Sequence, residues 1–342
     1  MLIDMHAHVI PDGFPGPNGH AGGDRWPRIE EAEGVRVLVS GQMRLTAQDA
    51  YFDAERRLAA MDANGVDAEV VSPLPPLLNY RLPPDGARGL CRGINEFIAR
   101  LCEVAPRRFY GLGTVPLQDP DLAAAELSHV RALGLHGIEI GSNICGASLG
   151  EDRFVGFFQE AERLGVPVFV HALDVTFGDR LPRAAMAGFG FAAEVSLAAA
   201  SLVSSGTAER CPGLRLAFSH GAGGFPLMLT RAQWFYAGTW NEEEPTEGSP
   251  APPAMPAITR LPRSPAEYAR RFYYDTLVFD RRALRYLVDM LGPRQLLAGT
   301  DFPAMPRERP AGRTLRSLGL PAAVLEDITW HNCFRFLGVE PR

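Results

Sequence analysis

A His-Ala-His step at residues 6–8 closes a short apolar run near the start of the chain. Side chains two apart on a strand share a face, so both imidazoles project to one side at the strand's carboxyl end. The placement recurs: His171 follows Val-Phe-Val, His220 follows Leu-Ala-Phe-Ser, and Asp301 follows Leu-Ala-Gly-Thr. His6, His8, His171 and Asp301 together offer three neutral imidazoles and a carboxylate. That donor set suits Zn²⁺ in a tetrahedral site and accepts Mn²⁺ or Fe²⁺ with a wider shell. A cation held there leaves a position open, acidifies a water and polarises a carboxylate or carbonyl. His220 is then the fifth group, placed to exchange protons. A chance gathering of all five at strand ends is improbable. His20, His129, His136 and His331 lack the placement and read as structural or solvated.

Such residues need a scaffold that brings many strand ends to one face. Short apolar runs alternate with helical patterns along the whole chain, the signature of repeated βα units. Strands are expected over 2–5, 68–72, 109–114, 137–141, 167–170, 214–219, 272–276 and 296–299. Helical spacing covers 51–64, 89–104, 122–133, 154–164 and 281–291. Eight parallel strands predict a single α/β domain over 1–342, a distorted (β/α)8 TIM barrel whose active site lies at the carboxyl ends of the strands. Residues 11–50 read as an insertion after the first strand, with a hairpin at 35–39 and 42–45 sitting over the barrel mouth. The Pro-rich stretch 241–264 reads as a long flexible loop.

Composition narrows the chemistry. Of 342 residues, 46% are apolar and 22% charged, a globular balance with a sizeable core. The net charge of −6 is spread rather than blocked, which argues against nucleic acid or an anionic membrane as partner. The start MLIDMHAHVIPDG lacks the pattern of a secretion signal, and no apolar run reads as a membrane span, so a cytoplasmic location is expected. Five cysteines without a CxxC pair read as free thiols in the core. Every one of the 34 basic residues is arginine. Without lysine there is neither Schiff-base chemistry nor a lysine carbamate to bridge two metals, while arginine forks suit carboxylates. Arg231, eleven residues after His220, is a candidate clamp for a substrate carboxylate or a surface helix residue; Arg44, in the hairpin, is a second candidate or a solvated charge.

Taken together, IDMHAHVIP, PRRFYGLGTVPLQDPDLA, PVFVH, AFSHGAGGFP, FYYDTLVFD, GTDFP and FLGVE make the chain resemble the amidohydrolase-related decarboxylases over nearly its whole length. The resemblance implies a distorted (β/α)8 barrel with one catalytic zinc held by His6, His8, His171 and Asp301. It also implies His220 as the proton-handling residue and Arg231 as a carboxylate clamp, with Arg44 one position off the family's pattern. A homodimer in which one subunit's arginine completes the neighbour's site is implied as well. Where relatives place Pro-Trp after the third ligand this chain has Ala172-Leu173, and Ala187 and Gly188 stand where bulk is expected, so the pocket is reshaped.

Two reactions share these ligands. Non-oxidative decarboxylation of a small unsaturated or aromatic acid needs a proton placed on the carbon that bears the carboxylate, so that CO2 leaves as conjugation returns. Hydrolysis of a lactone or amide would instead put solvent oxygen into the product. A scaffold without activity would carry no stoichiometric metal.

Overall fold

β-Branched and apolar runs punctuated by glycine and proline form strands that pair in parallel, each joined to the next by a helix or loop crossing the outside. The computed structural model describes residues 1–16, 23–32, 34–237 and 261–340. In chain order the strands are β1 (Ile3–Val9), β2 (Arg28–Ala32), β3 (Val35–Ser40), β4 (Met43–Ala47), β5 (Ala68–Pro73), β6 (Phe109–Gly113) and β7 (Gly137–Gly141). They continue with β8 (Asn143–Ile144), β9 (Ala147–Ser148), β10 (Val168–His171), β11 (Leu216–Phe218), β12 (Tyr273–Asp275) and β13 (Leu296–Leu297). Eight of them form one sheet in the order β1-β5-β6-β7-β10-β11-β12-β13. The ends meet where the Met5 and His8 amides donate to the Ala298 and Phe302 carbonyls, both at 2.7 Å. The expected TIM barrel is therefore present, and all eight expected strands fall on it. The last three are only two or three residues long, because the chain turns early into the loops that carry the site.

Helices α1 (Ala54–Asn64), α2 (Pro84–Val104), α3 (Pro120–Ala132), α4 (Val155–Leu164) and α5 (Phe191–Ser204) pack outside the sheet. Asp53 and Asp119 cap α1 and α3 by accepting backbone N–H bonds, and Gly65, at φ 70°, supplies the left-handed residue that ends α1. Inside the barrel Ile3, Met5, Val70, Leu112, Phe169 and Leu297 form one apolar cluster, extended by Phe334 and Phe336 of the C-terminal helix. Leu2, Val9, Val71, Val168, Val170 and Phe218 belong to a second cluster between sheet and helices.

This division exposes a conflict in β1. Ile3 and Met5 face the lumen, so strict alternation would turn His6 and His8 outward. The β1–β5 register shifts between Asp4 and Ala7. One extra residue there moves the alternation by one, which aims both imidazoles inward.

On the outer face of β1 and β5, against α1, lies a buried charge network. Arg307 donates to Asp4 at 2.8 Å and to Glu69, while Arg57 donates to Glu69 and, at 2.7 Å, to the His8 carbonyl. All four side chains are almost wholly excluded from solvent. Removing one member leaves buried charge uncompensated, so Arg307→Met is expected to destabilise the fold by about 3–5 kcal/mol. Urea unfolding of the variant tests this, and a change below about 1 kcal/mol would show the network to be dispensable.

Three expectations need correction. The insertion is a three-stranded antiparallel sheet, not a hairpin: β2 pairs with β3 across Arg28–Val39 to Ala32–Val35, and its charged sequence RIEEA hid it. The stretch Arg183–Ser204 is long and apolar enough to cross a membrane, contrary to the expectation of no such run; glycines at 188 and 190 break its pattern. In the fold its Val195, Ala198, Ala199 and Leu202 are buried in the core. All five cysteines are free, but Cys145 is exposed at the β8–β9 turn rather than in the core. The expected 241–264 loop lies outside the described residues except for 261–264, where Ser264 caps the helix Pro265–Ala269.

Candidate metal centre and active site

His6, His8 and His171 converge from β1 and β10. The His6 Nε2 atom lies 3.1 Å from His8 Nε2 and 3.0 Å from His171 Nε2. Asp301, on the turn after β13, brings its Oδ1 to 3.1 Å from His8 Nε2 and 3.6 Å from His6 Nε2. One ligand atom from each of the four fits within 4.8 Å of all the others. The opposite ring nitrogens fix the tautomers. His6 Nδ1 meets Asp275 at 2.6 Å, His8 Nδ1 meets the Pro73 carbonyl at 3.1 Å, and His171 Nδ1 meets the Ala172 carbonyl at 2.8 Å. Each partner only accepts, so each Nδ1 carries the proton and each Nε2 lone pair points at a common centre. With all three rings neutral, three converging lone pairs and a carboxylate repel one another unless a cation sits among them; the residues fit a single metal ion, and a metal-binding site is present.

The charges agree. Burial lowers the pKa of His8 and, far more, of His171, keeping both neutral as ligands must be. Burial alone would lower His6 too, but Asp301, Asp275 and Glu139 outweigh it and raise it to about 9. Burial would raise Asp301, yet His6 and His8 hold it ionised well below the usual carboxylate range. The His6 proton must leave before a cation binds. Metal affinity is therefore expected to climb about tenfold per pH unit as the pH rises toward 9, with one proton released per ion. Calorimetric titration in buffers of different ionisation enthalpy counts that proton, and affinity independent of pH would contradict the assignment.

His220 stands one layer out. Its ring centroid is 5.4 Å from those of His6 and His171, and burial lowers its pKa. The His220 and Gly221 amides donate to Asp275 at 2.9 and 3.0 Å, so one carboxylate orients His6 and pins the His220 turn. His220 and Asp301 both adopt positive φ, 53° and 60°. Six non-glycine residues among those described do so, and Cys145, Asp174, His220, Phe279 and Asp301 all line one cavity. Backbone strain concentrated there marks the cavity as the working part of the molecule.

Sequence reading missed Asp275 and Glu139. Asp275 ends β12 as the ligands end their strands, a usable signal inside FYYD. Glu139 is a lone carboxylate between two isoleucines of β7; it is fully buried 3.8 Å from His8, and burial raises it to about 8 against the pull of Ser72 and His6. The arginines are placed differently from the ligands. Arg44 is exposed and donates to Glu30 at 2.6 Å, because on β4 its neighbours Met43 and Leu45 take the face that lines the cavity. Arg231 is exposed with its guanidinium 5.0 Å above the Phe235 ring, and among the described residues it is not part of its own chain's cavity wall. Ala172, Ala187 and Gly188 do line the cavity. His129, His136 and His331 do not; His20 lies outside the described residues.

The amidohydrolase family profile matches residues 3–339. The chain belongs to the amidohydrolase family. This amidohydrolase is 30% identical over 346 aligned residues to a 2-amino-3-carboxymuconate-6-semialdehyde decarboxylase of Dictyostelium discoideum, covering 100% of this chain and 92% of that one. The solved 5-carboxyvanillate decarboxylase of Sphingomonas paucimobilis superposes with a TM-score of 0.79 at 27% identity, covering 99% of each chain. A dihydroxybenzoic acid decarboxylase from Polaromonas, solved with bound manganese, matches the fold with a TM-score of 0.71 at 22% identity over 85% of this chain and 87% of its own.

Proposed function

We propose that this amidohydrolase is a metal-dependent, non-oxidative decarboxylase of a small aromatic or unsaturated carboxylic acid. One observation carries the reading: among the described residues His6, His8, His171 and Asp301 cluster, with His220 beside them, at one end of a cavity in a chain similar over its full length to decarboxylases. We further propose Zn²⁺ as the ion, since three imidazoles and a carboxylate suit it; the Polaromonas neighbour's manganese makes Mn²⁺ the competitor. When bound, the ion supplies positive charge that draws the substrate's oxygen atoms to the barrel mouth and steadies negative charge as it develops.

The chain's own groups handle the proton. His220 and Asp301 both face the cavity, and between them they hold a proton and place it on the carbon that bears the carboxylate. The carbon–carbon bond then breaks, its electron pair restores conjugation, and CO2 departs. No organic cofactor or oxidant enters the balance: one proton is consumed and one CO2 is formed. In D2O the product should carry one deuterium at the vacated carbon. A metal-loaded sample screened against hydroxybenzoates and carboxylated muconic semialdehydes for CO2 release is the test. Solvent oxygen in the product, without CO2, would replace this reading with a hydrolase.

We propose Arg231 as the carboxylate clamp across a homodimer. Its exposure, and its place outside its own cavity wall, support a role in a neighbouring subunit. Arg231→Ala is expected to raise KM about 10- to 100-fold, the worth of a charged hydrogen bond, with a smaller change in kcat. An unchanged KM removes the clamp. The five free cysteines fit the proposed cytoplasmic setting.

A further inference from the structure

The cavity at the barrel mouth encloses about 1870 Å³. Clefts that hold drug-sized ligands span roughly 300–1,000 Å³, so a single-ring acid would leave most of this one filled only with water. Its lining is divided by chemistry. His171, His220 and Asp301 mark the metal end, whereas Leu74, Leu78, Leu173, Val175, Leu277 and Val278 form apolar wall. Arg81, one of the charged residues on the lining, is tied to Asp174 at 3.2 Å. Apolar exposure is also concentrated here. Ten large apolar side chains are exposed among the described residues, and four of them, Phe191, Leu227, Phe279 and Met305, line this cavity. Phe279 is 70% exposed and held at φ 60°, a conformation that a bulky residue adopts only when the surrounding structure imposes it. Exposed apolar side chains gathered round one cavity mark a binding surface.

We infer that the substrate carries, besides the carboxylate at the metal, an apolar extension of several carbons that lies along the wall formed by Leu173, Val175, Leu227, Leu277 and Phe279. The inference rests on the decarboxylase reading and names the substrate class for that site. Burying each further methylene should tighten binding by about two- to fourfold until the wall is covered.

The test uses 2-hydroxybenzoates bearing straight alkyl chains of increasing length at the 6-position. Dissociation constants come from calorimetry on the metal-loaded protein, and kcat/KM from CO2 release. From methyl to hexyl, five added methylenes, affinity is expected to rise about 30-fold or more. Leu227→Ser, an exposed position that folding does not depend on, should flatten the slope. Affinity that stays level or falls beyond methyl overturns the inference, as it would if a second copy of the chain covered the apolar wall. The two readings separate cleanly. CO2 release from short acids with a flat chain-length series keeps the decarboxylase and removes the apolar extension. Tightening along the series without CO2 from any member keeps the apolar site and removes the decarboxylase.

Discussion

Asp301→Asn is expected to lower CO2 release by roughly 10⁴-fold or more, by removing both the charged metal ligand and a proton-handling group. The substitution is clean in two respects. Asn tolerates left-handed backbone better than other residues, so φ 60° at this position is kept, and its size matches. What changes is charge. Asp301 is the only carboxylate among the four clustered ligands, and it supports the raised pKa of His6. Metal per chain, measured by plasma emission spectrometry, should fall with activity. A variant that keeps full metal and a tenth of its turnover would show that the carboxylate is neither ligand nor acid.

His220→Asn should separate chemistry from metal binding. His220 is not among the four residues whose ligand atoms cluster, and its φ of 53° again suits asparagine. The expected result is near-stoichiometric metal with turnover reduced about 10²- to 10⁴-fold, the usual worth of a positioned general acid or base. Equal loss of metal and activity would make His220 a ligand. Unchanged turnover would leave proton handling to Asp301 alone. Measured side by side, the two variants form a pair, one losing ion and rate together, the other losing rate alone.

Most of this site is legible in the sequence. His171 ends β10, and Asp301 follows β13, because parallel strands buried on both faces read as apolar runs whose first polar residue falls at the barrel rim. The ligands announce themselves by type and place. Asp275 shares that strand-end place, but neither it nor Glu139 has a partner visible in sequence; His6 lies 269 positions from the first and 133 from the second. Pairings that far apart depend on how the barrel closes. Arg44 is the opposite case. Its charge alone leaves a clamp and a solvated residue open, and the strand decides between faces, since Met43 and Leu45 line the cavity while Arg44 is exposed against Glu30. The β2 strand was lost to the same local view, because its charges sit on an exposed layer.

The register shift between Asp4 and Ala7 carries a lesson about what kinds of sequence change this protein tolerates. Swapping side chains within that short span alters packing one position at a time. Dropping a single codon from it would instead rotate everything upstream or downstream by one face, presenting His6 and His8 to the helices and Ala7 to the lumen. Amino-acid content would barely differ, yet the chelate would vanish. Length along those few positions is thus as necessary to the chelate as the histidines themselves.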